Sequence, residues 1–404
     1  MTKHFRRVLI AVSCVLVIYI VVGGVLGEGS STNDQTYRDL GVYSEVLSRI
    51  KSDYVTQPNL HKVTGGAIRG LLAALDPYST YFTPQQFKEY LAHPDPGPAS
   101  IGLFVSKRFG FATVVAVLPG SPADKAGIQP ADLIDRINDK PVKELSAVQI
   151  ARKFAGPPGT TLDLWVVNQS RGKPQKVTLT RMVLTSPPVT SKLMSDQTGY
   201  VRVATFDKGV SAQIESGIKR LIAQGADKIV LDLRDCAGGE SEEAVKTASL
   251  FIQNKLITYT YGQRSPRQNY MAEPMGVVFT QPLAVLINRS TAGPAEIVAD
   301  AVRCDKRGDV VGVTSFGVGV VQKAIAVGDG SGLLLSVAKY YGPDGTAIEG
   351  NGVKPDIEVP SPSQEMALGS AALVRRSQYG TKADFQLQKA IEVLKQESPP
   401  AKAA

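Results

Sequence analysis

The run KIVLDLRDCAGG, residues 228–239, has four apolar residues within five positions, Ile229 to Leu233, interrupted only by Asp232, then an arginine, an acid and, after two more residues, a pair of glycines. An almost unbroken apolar strand of this length is what a strand buried on both faces looks like. Leu283 to Ile287 repeats the pattern and feeds the turn NRSTAGP (288–294), where small residues open a further helix. Between the two runs, Ser241 to Ile252 has helical spacing. Before them come a strand, Tyr200 to Ala204, and an amphipathic helix, Ser211 to Gln224. This β–α–β rhythm predicts a mainly parallel sheet whose functional face lies at the carboxyl ends of its strands. Two loops reach that face, Asp235 to Gly239 and Ser290 to Pro294.

Working outward, the pattern changes. Residues 99 to about 183 read as short strands (Phe111 to Leu118, Leu133 to Asn138, Leu162 to Val167) with a helix at Ser146 to Phe154. Ahead of them, His93-Pro94-Asp95-Pro96-Gly97-Pro98 excludes helix and central strand and is a linker. Thr36 to Val55 and Ile68 to Leu75 read as helices, Asp76 to Phe82 as a turn, and Pro84 opens another helix. In the tail, Leu387, Ile391 and Leu394 fall on one side of a helix. At the other end, Val8 to Gly27 is apolar and uncharged. Twenty residues at about 1.5 Å each span roughly the 30 Å of a bilayer core. Lys3, Arg6 and Arg7 put the preceding end in the cytoplasm and the bulk outside. The run exceeds a signal-peptide core and no A-x-A site follows, so an uncleaved anchor is expected rather than a cleaved leader.

Composition narrows the chemistry. The 404 residues carry 45 Lys and Arg against 37 Asp and Glu, a net +8, but the charges are dispersed, so no nucleic-acid surface is expected. All three histidines, His4, His61 and His93, precede residue 94. A Ser-His-Asp triad or histidine-based zinc site in the main domain is thereby excluded, and no metal or cofactor is expected. Cys236 and Cys304 differ in context, one in the glycine-rich loop and one inside a predicted helix. Free thiols are expected of them, and an inert one of Cys236.

Six motifs in order resemble the C-terminal processing (tail-specific) serine proteases: GLLAALDPYSTYFTP (70–84), VLPGSPADKAGIQPADLIDRIND (117–139), VLDLRDCAGG (230–239), INRSTAGPAEIVADAV (287–302), GVTSFGVGVVQ (312–322) and AKYYGPDGTAIEGNGVKPDI (338–357). The resemblance implies an α/β core of the tail-specific protease type, with an inserted PDZ-like β-rich domain, an N-terminal helical region and the transmembrane helix. The divisions expected are a basic end (1–7), the anchor (8–27), helices (28–93), a linker (94–98), the PDZ domain (99–185), the core (186–361) and a tail with one helix (362–404). It also implies that the PDZ domain binds protein C-termini as an added strand. Ile101, Gly102, Leu103 and Phe104 are the carboxylate loop, with Val148 and Ala151 on the facing helix.

The family's chemistry is a Ser-Lys dyad with two backbone N–H groups for the oxyanion and a glutamine that orients the lysine. Aligned on Glu296-Ile297-Val298, Phe316-Gly317 and Gln322, the serine falls on Gly293 and the lysine on Val318. Gln322 is kept, and Gly238 or Gly239 supplies the loop glycine. Gly293 has no nucleophile, Val318 no amine, and Pro294 no N–H for the oxyanion. The expectation is a membrane-anchored, inner-membrane, periplasmic or extracytoplasmic pseudoenzyme that binds C-terminal segments of exported proteins. It would assemble with itself or with an active relative. The competing expectation is an active endopeptidase with a displaced nucleophile, for which Ser290, Thr291 and Ser315 are the nearby hydroxyls. Lys323 is the nearest amine, pointing away if its segment is helical.

Overall fold

A computed structural model describes residues 31–94, 97–108, 110–168, 172–274, 276–360 and 379–397. The apolar run 8–27 lies outside them. Among the described residues no helix is long and apolar enough to cross a membrane. Two compact units divide at residues 68 and 69. The first holds helix α1 (Ser31–Asp53), whose Tyr37, Leu40, Val42 and Val46 are all at least half exposed. Helix α2 (Leu60–Ala73) starts eight residues before the expected Ile68. Asn59 Oδ1 accepts from Lys62 N at 3.0 Å, a local N-cap that outweighs the Gly65-Gly66 pair.

In the second unit the expected turn at 76–82 ends instead in a strand, β1 (Thr80–Phe82). Asp76 Oδ1 closes the turn on Tyr78 N and Ser79 N, and the chain then pairs antiparallel with Leu334 and its neighbours, a partner about 250 residues away. Helix α3 (Pro84–Ala92) follows, with Thr83 and Gln86 capping each other.

The β-rich insert is an antiparallel sheet in chain order: β2 (Leu103–Arg108), β3 (Phe111–Val117), β4 (Leu133–Ile137), β5 (Thr161–Val167) and β6 (Gln175–Thr180). Helix α4 (Ala147–Phe154), capped by Ser146 and Gln149, lies beside the edge strand β2. Ile101, Val114, Ile134, Ile150, Leu162 and Leu164 form its core, each at most 1% exposed.

The main sheet has six strands in the order β7 (Thr190–Leu193), β8 (Thr198–Arg202), β9 (Lys228–Asp232), β12 (Leu283–Ile287), β13 (Asp309–Gly312) and β16 (Ile357–Glu358). All pairings from β8 onward are parallel. Helices α5 (Val210–Ala223), α6 (Ser241–Ser249) and α7 (Pro294–Cys304) cover one face through Ile214, Ile218, Ala248, Val298 and Val302. The tail helix α8 (Phe385–Glu397) covers the other face with Leu387, Ala390, Ile391 and Leu394. Burying each of its leucines contributes about 1.5–3 kcal/mol. The tail helix is therefore not a free self-association surface, because its apolar side is used within the chain. A second sheet, built from β1, β10 (Leu256–Gly262), β11 (Ser265–Met271), β14 (Val320–Ala326) and β15 (Gly332–Tyr341), completes the core.

Candidate active site and peptide groove

The turn after β12 brings Gly293 to the N-cap of α7 at φ 67°, ψ −121°, a backbone state that L side chains rarely adopt. A Cβ built there meets no atom within 4 Å. The turn leaves room for a side chain at this position, and Gly293 has none. Pro294 occupies the first helical position and donates nothing.

Glu296, fully buried, does more than the helix-dipole role its place in the first turn suggests. It accepts from Gly293 N (2.8 Å), Ser315 Oγ (2.5 Å), Gly317 N (2.7 Å) and Val318 N (2.8 Å), tying the elbow to the 315–318 loop. Burial pushes its carboxyl up to about 7, against the pull of these four donors on the ionised form.

The glycine loop is zipped to the elbow. Asp235 N donates to Asn288 Oδ1 at 3.0 Å, Asn288 Nδ2 returns a bond to Asp235 Oδ1 at 2.9 Å, and Ala292 N donates to Cys236 O at 2.9 Å. Gly238 and Gly239 both have left-handed φ, 79° and 94°. A Cβ on Gly238 would come within 2.3 Å of the Phe104 ring, and one on Gly239 within 2.1 Å of the Phe206 backbone. Only glycine fits either place.

Val318 joins Val115, Ala116, Ala237, Ala292, Phe104 and Phe316 in one apolar cluster. Val318, which the resemblance aligns with the dyad's lysine, thus lies in an apolar seam with residues of the β-rich insert and of the turn before α7. Gln322 Nε2 donates to Tyr78 O at 3.1 Å. Lys323 lies on the strand β14 and not in a helix, with its side chain exposed.

Two of the three nearby hydroxyls are engaged by hydrogen bonds. Thr291, fully buried, donates from Oγ1 to Leu233 O at 2.8 Å and accepts from Asn288 N at 2.9 Å. Ser315 Oγ accepts from Val353 N at 2.6 Å while donating to Glu296. Ser290 is 5% exposed. Both described cysteines are free. Desolvation raises the Cys236 thiol well above the ordinary thiol range, which makes it inert, and burial raises Cys304 to about 12. Cys304 is the last residue of α7 rather than an interior one. Beside it Arg303 Nη2 donates to Asp300 and Asp344, both at 2.8 Å, so a guanidinium already neutralises those carboxylates.

In the insert, Gly102 has φ 79°, and a Cβ there would lie 2.2 Å from Ser121 Cβ. Ala123 N and Leu118 N donate to the carbonyls of Ile101 and Gly102, shaping the loop. Leu103 and Ile101 are buried, Phe104 is half-buried over Gly238, and the outer edge of β2 has no strand partner among the described residues. On α4, Ala151 is exposed, while Val148 packs against Phe82, Phe87 and Leu334.

Sequence reading missed what anchors the glycine loop from behind. Arg234, 1% exposed, donates to Asp232 (2.9 and 2.6 Å) and to Asp384 (2.8 and 2.6 Å), and stacks 3.9 Å from the Tyr379 ring. Its second carboxylate comes from 150 residues away, so no local pattern announces it.

Residues 197–359 match the model of peptidase family S41, and residues 113–167 match a PDZ domain. The carboxy-terminal-processing protease of Bartonella bacilliformis is 30% identical over 85% of this chain and 81% of its own length. The carboxy-terminal processing protease CtpA of Bacillus subtilis is 32% identical over 89% and 78%. Among solved structures, a photosystem II D1 C-terminal processing protease superposes with a TM-score of 0.64 at 27% identity, covering 79% of this chain and 92% of that one.

Proposed function

We propose that this chain, which belongs to the carboxyl-terminal processing proteases of peptidase family S41, captures the C-terminal segments of other proteins without cutting them. One observation carries the reading: at the family's nucleophile elbow stands Gly293, with the space for a side chain open and no hydroxyl to fill it. The base position holds Val318, packed in an apolar cluster, and Pro294 takes away one oxyanion donor. The nearby hydroxyls of Thr291 and Ser315 are bonded to backbone and to Glu296, and among the described residues neither is bonded to a lysine.

What supports binding is the PDZ domain itself. Its edge strand β2 is open to an added strand, and the loop Ile101 to Phe104 precedes it. The run 8–27 would tether the chain to the inner membrane with its bulk periplasmic or extracytoplasmic. The exposed apolar residues of α1 would serve a second copy or an active relative.

The test is digestion of an unfolded protein with an apolar C-terminus. The native chain is compared with the triple variant Gly293→Ser, Pro294→Ala, Val318→Lys. Substrate intact with the native chain and cut by the variant is the expected pair of results. Cleavage by the native chain that Ser290→Ala or Thr291→Ala stops would make it an enzyme with a moved nucleophile.

A further inference from the structure

On the sheet face that carries α8, strands β7 and β8 leave a corner uncovered. Thr190 stands opposite Arg202 and Lys192 opposite Tyr200, so the four side chains share one face. With Ser191, Tyr379 and Pro119 they line a cavity of about 330 Å³, at the small end of the ligand-site range. It sits at the carboxyl end of β8, where parallel sheets take their ligands.

The hydrogen-bonding inventory of this corner is lopsided. Its acceptors are occupied. Asp232 accepts from Tyr200 Oη (2.6 Å) and from Arg234 N, Nε and Nη2 (3.0, 2.9 and 2.6 Å). Asp384 accepts from Arg234 twice and from Gly380 N at 3.0 Å. Asp235, whose charge also reaches Arg202, accepts from Asn288 Nδ2.

The donors are in surplus. Arg202 Nη1 is buried without a hydrogen-bond partner, 3.8 Å from Asp232 Oδ2, and its guanidinium lies 4.6 Å from the Tyr379 ring. Lys192 Nζ reaches the Gly380 carbonyl and lies 5.4 Å from the Tyr200 ring, with no carboxylate in ion-pair range among the described residues. A buried donor left unmet is costly, and charge-assisted bonds are the strong ones.

We propose that this corner binds the oxyanion of a small molecule, a carboxylate or a phosphate, between Arg202 and Lys192. A ligand that brings acceptors meets both cations there, and Tyr379 and Pro119 wall its apolar part. The inference stands whether or not the chain captures C-termini.

The experiment is thermal unfolding of the full chain titrated with citrate or phosphate at constant ionic strength, with chloride as the reference salt. Binding to the native state raises Tm along a saturable curve. Each variant is read against its own ligand-free Tm, so a change in basal stability does not enter. Lys192→Met, at the exposed rim, is expected to weaken the half-saturating concentration about tenfold, and Lys192→Glu and Arg202→Met to abolish saturation. Saturation with citrate alone assigns a carboxylate, and with phosphate alone a phosphate. Anions that act no differently from chloride, or a saturable shift that survives Lys192→Glu unchanged, would overturn the site.

Discussion

Restoring a serine at 293 is an experiment in backbone strain before it is one in catalysis. The open space means the new Cβ clashes with nothing, so the whole penalty comes from holding an L residue at φ 67°, ψ −121°. Gly293→Ser is expected to lower stability by about 1–3 kcal/mol in denaturant titration. An active relative would carry this strain for its reaction, and a chain without the reaction is relieved of it by glycine. Glu296 makes a second prediction. Its folded carboxyl, at about 7, lies above the ordinary 4.5, so between these values the native state holds the extra proton. Stability then falls as pH rises from about 4.5 to about 7, by at most about 3 kcal/mol, and is flat in this contribution above. Denaturation series across pH 4.5 to 8 should show that slope. Glu296→Gln should flatten it while lowering stability throughout, since an amide NH2 in place of one carboxylate oxygen cannot accept from the backbone N–H that donated there, Gly317 N at Oε1 or Gly293 N and Val318 N at Oε2.

Among elements, the tail helix and the glycine loop depend on one another. Arg234 is the common rivet: Asp232 lies in its own strand end, and Asp384 lies one residue before α8. Asp384→Ala leaves a buried guanidinium short of a partner and is expected to destabilise by about 3 kcal/mol, near the low end for a broken buried pair because Asp232 remains. Hydrogen exchange should show the amides of Phe385 to Glu397 opening ahead of the main sheet. Uniform loss of protection across the whole core would mean that the rivet acts globally and not on the tail.

For the whole molecule, the prediction concerns where the chain resides and with what. Deleting residues 8–27 is expected to move it from the membrane fraction to the soluble one. Sedimentation of that soluble form should reveal a dimer that Leu40→Glu with Val46→Glu converts to monomer, since both side chains are at least half exposed on α1. A deletion that leaves the chain on the membrane, or one that sediments as a monomer from the outset, would remove the anchor or the α1 interface from the account.

The parallel core and the β-rich insert were legible in the sequence, as was the lack of a hydroxyl at 293, of an N–H at 294 and of an amine at 318. Each rests on information local in the chain: the apolar Ile229-Val230-Leu231 of β9, the glycines and prolines of the turns, and the side-chain type at 293, 294 and 318. A side chain that is not encoded cannot be supplied by folding. The start of α2, the strand pairing of β1 and the location of Lys323 on a strand were not legible. The first turned on one cap at Asn59, and the other two on strand pairing within the second sheet. Likewise only the folded chain decides that Glu296 gathers four donors, that Arg234 finds Asp384, and that Val318 packs against the cluster of Val115, Ala116, Ala237 and Ala292. Burial removes water from groups far apart in sequence, and a buried charge or apolar surface must then find its partner in space, wherever the chain has placed it.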